Sequence, residues 1–275
     1  MSSSVRTCVI TGYGINADEE LAAAFRLVGA ETARVHVGDL LRRPDELEGF
    51  HILAFPGGFS FGDHLGSGKV LAGMVRRHLR PQLARFIESG GLLIGICNGF
   101  QVLIKMGILP DLSGGWRPEA SLIHNDSGKF EDRWVRLRFD PDSPCVWTRG
   151  IDTMELPVRH GEGKLVLASA EVRRGVQSRR LDPVHYTPRH GSPRDGSPRR
   201  DVPQDDSPRV PYPDNPNGSA ADIAGLCDPT GRVFGLMPHP EAFLCPENHP
   251  RWPRERIDVL GLEILRRGVS YAESG

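Results

Sequence analysis

Short apolar runs alternate with amphipathic stretches along the first hundred residues. Residues 8–10 (Cys-Val-Ile) predict a first strand. Residues 19–28 predict a helix, because Leu21, Ala24, Phe25 and Val28 recur at helical spacing. Residues 33–37 and 51–55 predict two more strands, the second running into Pro56-Gly57-Gly58. Residues 70–89 have a helical pattern that Pro81 is expected to break or restart. Residues 91–96 form a continuous apolar run, and a helix is expected from Asn98 to about Met106. This βαβ rhythm predicts a parallel sheet with helices on both faces. Ligands of such sheets bind beyond the carboxyl ends of the strands, where Pro56-Gly57-Gly58 and Cys97 both fall.

The pattern changes in the second half. Residues 134–139 (Trp-Val-Arg-Leu-Arg-Phe) alternate with period two and predict antiparallel strands added to the same domain. From about 173 to 211 the chain becomes rich in Pro, Arg and Ser, with Gly-Ser-Pro-Arg occurring twice. Few of its residues look able to be buried, so a disordered insertion is expected there. Core-like segments resume at 222–226 and 233–237, and 258–267 predict a C-terminal amphipathic helix. One domain over 1–275, interrupted by that insertion, is the expected organisation.

Composition narrows the class. The 275 residues are 39% hydrophobic, enough for one sizeable core, and 34 basic residues nearly balance 35 acidic ones. No overall charge draws the chain to nucleic acid or to an anionic membrane. No apolar run reaches the roughly 18 residues of a membrane helix, and the N-terminal segment lacks the apolar centre of a signal peptide. The five scattered cysteines form no Cys-x-x-Cys and leave one unpaired. A reducing cytoplasm is expected.

One of those cysteines carries chemistry. Gly95-Ile96-Cys97-Asn98-Gly99 lies between the fourth strand and its helix, with glycine two residues to either side of Cys97. That is the nucleophile-elbow pattern, in which a tight turn lifts the reactive side chain over the strand end. The helix N-terminus there favours a thiolate. A thiol nucleophile needs a base and a proton donor for the leaving group. Of ten histidines, His239 in Met237-Pro238-His239-Pro240-Glu241 stands out, because it also follows a strand. In an extended segment Glu241, two residues on, would point the same way and orient the ring. Gly57 and Gly58 offer backbone N–H groups to an oxyanion, and Asn98 offers another. A rival use of the tail is a zinc site from His239, Cys245 and His249, although their spacing fits no standard pattern.

Taken together, Pro56-Gly57-Gly58, the segment Gly95 to Gln101, and Pro238-His239-Pro240-Glu241 resemble class I, triad-type glutamine amidotransferases. Phe55 to Asp63, Pro157 to Gly163 and Tyr212 to Ser219 are similar to the glutaminase subunits of phosphoribosylformylglycinamidine synthase. The resemblance spans nearly all the chain outside the insertion. It implies a flavodoxin-like, doubly wound α/β fold with a mostly parallel sheet and antiparallel additions. It implies Cys97, His239 and Glu241 as catalytic residues, with Gly57, Gly58, Asn98 and Gln101 at the substrate. It further implies glutamine as substrate, a large synthetase subunit receiving ammonia, and a small bridging subunit. The chain has no Gly-x-x-x-x-Gly-Lys-Ser/Thr loop. No cofactor or metal is expected on it, and ATP with magnesium is expected on the synthetase. Ala242, where many relatives have arginine, and the insertion are departures from the pattern.

Two other classes compete. A cysteine hydrolase or peptidase on the same scaffold generally has its histidine directly after the cysteine, where this chain has Asn98. A non-catalytic regulatory subunit is expected to lack a triad member, and all three candidates are present.

Overall fold

A computed structural model describes residues 4–189 and 209–274. Its first half runs β1 (Arg6–Thr11), α1 (Asp18–Leu27), β2 (Glu31–His36), α2 (Val37–Arg42), β3 (Ile52–Phe55), α3 (Lys69–Glu88), β4 (Leu92–Ile96) and α4 (Asn98–Met106). The second half adds β5 (Ala120–His124), β6 (Glu131–Phe139), β7 (Thr153–His160), β8 (Glu162–Leu167), α5 (Ala170–Ser178), β9 (Val184–Thr187), β10 (Ile223–Cys227), β11 (Val233–Leu236) and α6 (Leu262–Ser274).

Nine strands form one sheet in the order β2-β1-β3-β4-β11-β10-β9-β6-β7. The half from β2 to β11 is parallel. The half from β11 to β7 is antiparallel. The parallel strands β3, β4 and β11 are buried along their whole length, as strands covered on both faces must be. β5 and β8 pair separately. The expected mixed, doubly wound architecture is therefore present, with α1 and α4 packed against the parallel half and α3 packed on α4.

Three local expectations need correction. α3 is continuous through Pro81. Its apolar face (Leu71, Val75, Leu79, Leu83, Phe86) is buried, and that packing outweighs one missing backbone bond. Arg77, whose carbonyl would have accepted that bond, is exposed, so water can serve it. α6 starts four residues later than expected and extends to Ser274, because Leu262, Ile264, Leu265 and Val269 carry its buried face. Gly268 lets it close on Trp147: a Cβ there would lie 2.2 Å from the indole ring.

The third correction concerns the insertion. Residues 173–189 are ordered, forming the end of α5 and all of β9. Val176, Leu181, Val184 and Tyr186 are buried, and they supply the apolar area that the surrounding Arg and Pro obscure in the sequence. Residues 190–208 of the expected insertion lie outside the described residues, and 209–211 are described again. The two flanks are held together. The Arg189 N–H donates to Asp214 at 3.4 Å, and the Arg209 and Val210 N–H groups donate to Asp222 at 3.1 and 3.0 Å.

β9 is the strand that joins β6 and β7 to the rest of the sheet. Deleting 177–208 is therefore expected to abolish cooperative unfolding, whereas a disordered insertion would be dispensable. Tyr186→Ala is expected to cost about 3 to 5 kcal/mol, as for other fully buried aromatics. Urea titrations followed by circular dichroism would measure both.

Candidate active site

The parallel strands deliver their loops to one edge of the sheet. Cys97 follows β4 with φ 51° and ψ −105°, outside both helix and strand conformations. Such a residue costs about 1 to 3 kcal/mol and persists only where its surroundings fix it. Here its N–H donates to Leu236 on β11 at 2.8 Å, and its carbonyl accepts the Gln101 N–H at 3.0 Å. The flanking glycines are steric necessities. A Cβ on Gly99 would lie 1.9 Å from the Phe55 carbonyl oxygen of β3, and one on Gly95 would lie 2.7 Å from Gly99. The buried thiol of Cys97 is 3.6 Å from the Arg159 carbonyl oxygen, to which it donates.

His239 follows β11, and its N–H is pinned to the Pro157 carbonyl of β7 at 2.8 Å. Its Nδ1 lies 2.6 Å from a Glu241 carboxylate oxygen, and both side chains are buried. The pairing holds, but not through the extended geometry expected from sequence. Pro240–Ala242 form a turn of 3₁₀ helix that swings Glu241 back beneath the ring. Nε2 of His239 makes no hydrogen bond among the described residues. Burial pushes the imidazole's pKa down, but Glu241 and then Cys97 outweigh it and carry the pKa up to about 10. His239 thus responds electrostatically to both Glu241 and Cys97.

Pro56-Gly57-Gly58 lies beside this pair. A Cβ on Gly57 would lie 2.9 Å from Cε1 of His239, so glycine here makes room for the ring. Gly58 has φ +146° and bridges to Ile15, where a Cβ would lie 2.9 Å from three backbone atoms. The Gly57 carbonyl accepts the Ala17 N–H at 3.3 Å, and the Phe59 N–H donates to Gly14 at 2.9 Å. The loop after β1 therefore clamps the turn. Among the described residues, neither the Gly58 N–H nor the Asn98 N–H donates to another group. Both remain available to an oxyanion.

The side chains of Asn98 and Gln101 are buried and largely engaged. Asn98 accepts the Ser60 N–H at 3.2 Å and donates to Asp63 at 3.2 Å and to Gln101 at 2.9 Å. Gln101 donates to the Glu162 carbonyl at 2.6 Å. Asn98 thus tethers the 60–63 turn to α4, and Gln101 tethers α4 to β8. Glu162 also accepts the Ser67 N–H at 3.3 Å.

The site has further members that sequence reasoning did not single out. His160, Asn125, Asn217 and Tyr186 are buried polar residues beside it. Asn217 donates to the Tyr186 hydroxyl at 3.0 Å. Burial pushes the Tyr186 phenol far above its ordinary range, and Cys97 adds to that shift. The sequence signal for His160 and Asn217 is the His-Gly-Glu-Gly and Asn-Pro-Asn-Gly-Ser segments, whose resemblance to the family assigns neither side chain a role. Tyr186 fell within the expected insertion. The zinc alternative fails on geometry: Nε2 of His249 pairs with Glu155 at 2.9 Å and Cys245 contacts Asn248 at 3.3 Å. No cluster of three metal-ligating side chains occurs among the described residues.

A family model, the CobB/CobQ-like glutamine amidotransferase domain, matches residues 4–272. The chain belongs to the glutamine amidotransferase family. Relatives within this family include the phosphoribosylformylglycinamidine synthase subunit PurQ of Dehalococcoides mccartyi, 46% identical over 98% of both chains. The subunit of the same name from Methanococcus maripaludis is 40% identical over 97% of both. Among solved structures, a chain of PurLQS from Thermotoga maritima superposes with a TM-score of 0.69, at 27% identity over 98% of this chain and 99% of that one. The amidotransferase fold expected from sequence is thus the observed one.

Two outcomes follow for this amidotransferase site. Gly57→Ala is expected to displace the His239 ring and lower kcat at least tenfold with little change in the thermal midpoint, measurable by glutamate release and calorimetry. The second concerns pH. A free imidazole titrates near 6.5, and His239 is raised to about 10. The stability it contributes is complete below pH 6.5 and is lost as pH rises through about 10. Glu241→Gln removes the first of the two raising partners. The gap in thermal midpoint between wild type and Glu241→Gln is expected to be widest near pH 6.5 and to narrow toward pH 10.

Proposed function

We propose that this chain is the glutaminase subunit of phosphoribosylformylglycinamidine synthase, acting in the cytoplasm. The observation that carries the reading is the meeting of Cys97, the His239–Glu241 pair and two backbone N–H groups without a partner among the described residues, at one edge of the sheet. The full-length similarity to PurQ subunits supports the choice of synthase.

In this reading the Cys97 thiol passes its proton to Nε2 of His239 while the sulfur attacks the side-chain carboxamide carbon of glutamine and a C–S bond forms. The oxygen takes the negative charge, which the N–H groups of Gly58 and Asn98 receive. His239, kept protonated by Glu241, passes its Nε2 proton to the nitrogen. The C–N bond breaks, ammonia leaves, and the γ-glutamyl thioester remains. His239, now neutral, takes a proton from water, and the resulting attack releases glutamate and regenerates Cys97. Gln101 holds the substrate end of α4 in place. Ammonia passes to a large synthetase subunit, which binds ATP and magnesium and aminates formylglycinamide ribonucleotide. A small third subunit bridges the two. No cofactor or metal belongs to this chain.

The experiment is steady-state glutamate release with and without the purified synthetase subunit. Cys97→Ala is expected to be inactive yet folded, with Cys8, Cys145, Cys227 and Cys245 replaceable. His239→Ala is expected to lose roughly a thousandfold or more in kcat, and Glu241→Gln less. Adding substrate-loaded synthetase is expected to raise kcat more than it changes KM. Wild-type turnover in both His239→Ala and Glu241→Gln would end the reading.

A further inference from the structure

His160 closes β7, one residue after Arg159, whose carbonyl meets the Cys97 thiol. Its hydrogen bonding fixes where its proton sits. The side-chain nitrogen of Asn125 donates to two carbonyls, those of Lys129 at 2.9 Å and His160 at 2.8 Å. The Asn125 amide can therefore have only one orientation, with its oxygen toward the ring. That oxygen accepts the Gly163 N–H at 3.0 Å and lies 3.1 Å from Nδ1 of His160. Nδ1 must then carry the proton, and Nε2 is a bare lone pair.

That lone pair is orphaned. His160 is only 2% exposed, and its Nε2 has no hydrogen-bond partner among the described residues. Protonation does not resolve the deficit. Burial, and then the charge of His239, push the pKa of His160 down to about 3. A buried acceptor left without a donor is destabilising and calls for an explanation. Nothing in the local fold needs an imidazole rather than an apolar ring at Nε2. Gly163 does leave space for the ring itself: a Cβ there would lie 2.5 Å from both Nδ1 and Cε1.

Two buried histidines therefore present Nε2 atoms unpartnered among the described residues, near enough for the charge of His239 to act on His160, and with opposite character. His239 is cationic and donates, whereas His160 is neutral and accepts. The reacting group of glutamine carries matching needs, since its nitrogen must take one proton while its own N–H bonds seek acceptors. Resting on the glutaminase reading above, we propose that His160 is a substrate-contacting residue whose Nε2 accepts an N–H of the glutamine carboxamide. It aims the nitrogen lone pair at His239 as the C–N bond breaks. No bond to His160 forms or breaks, and its proton stays on Nδ1.

The test pairs removal of the acceptor with removal of the donor. Glutamine and glutamate γ-methyl ester share the α-groups and the acylation step, but the ester has no N–H at the leaving atom. For His160→Phe, kcat/KM for glutamine is expected to fall 10- to 100-fold while that for the ester stays within about threefold. The rate of Cys97 alkylation by 6-diazo-5-oxo-norleucine should likewise hold within threefold. His160→Gln places an amide oxygen near the lost Nε2 and is expected to regain part of the glutamine rate. It also serves as the variant of record if His160→Phe does not fold. Equal losses on both substrates would overturn the proposal and leave His160 a scaffold residue or a contact to the α-groups. Undiminished glutamine turnover in both variants would also overturn it. A wild-type chain that hydrolyses neither substrate, alone or with its synthetase, would instead defeat the glutaminase reading.

Discussion

The structure hinges on the approach of α4 to the end of β3. The contact between Gly99 and the Phe55 carbonyl leaves no room for a Cβ, and that closeness turns the chain sharply enough to strand Cys97 in a left-handed conformation. Everything else in the site is arranged around that point. β11 holds the cysteine's N–H and then carries His239. β7 holds the backbone of His239 and offers a carbonyl to the thiol. Three strands thus converge on one residue whose backbone energy is unfavourable by itself, and the sheet supplies the rigidity that keeps it there.

Around this core the chain distributes polar groups so that few face each other wastefully. Asn98 and Gln101 spend most of their hydrogen-bonding capacity on the scaffold, tying the 60–63 turn and β8 to α4. Asn125 does the same for β7 and the turn into β8. Among the described residues, buried polar atoms without a hydrogen bond occur in several parts of the molecule, and three of them belong to the candidate site: the Nε2 atoms of His160 and His239, and one oxygen of Glu241. In a low-dielectric site such unspent capacity is costly without substrate and effective with it.

The sequence disclosed the parallel half of the sheet because its strands are continuous apolar runs, and disclosed the elbow because glycine is demanded where backbones touch. It disclosed the His239–Glu241 pair from spacing, though the turn that brings them together is helical rather than extended. Other features depend on contacts far apart in the chain. Pro81 reads as a break until the buried face of α3 is seen to carry the helix across it. β9 is four residues long, and its neighbours Arg179, Arg180 and Pro183 mask it. Its strand character comes from pairing with β6 and β10. The tautomer of His160 follows from Asn125, thirty-five residues away, and no local pattern encodes it.

The stitched flanks around residue 190 have a consequence for how this chain can vary. Asp214 and Asp222 hold the two ends of the intervening segment near each other. A change at Asp214 would release the backbone that precedes residue 190, and a change at Asp222 the backbone that follows residue 208, so each carboxylate guards one side of the join.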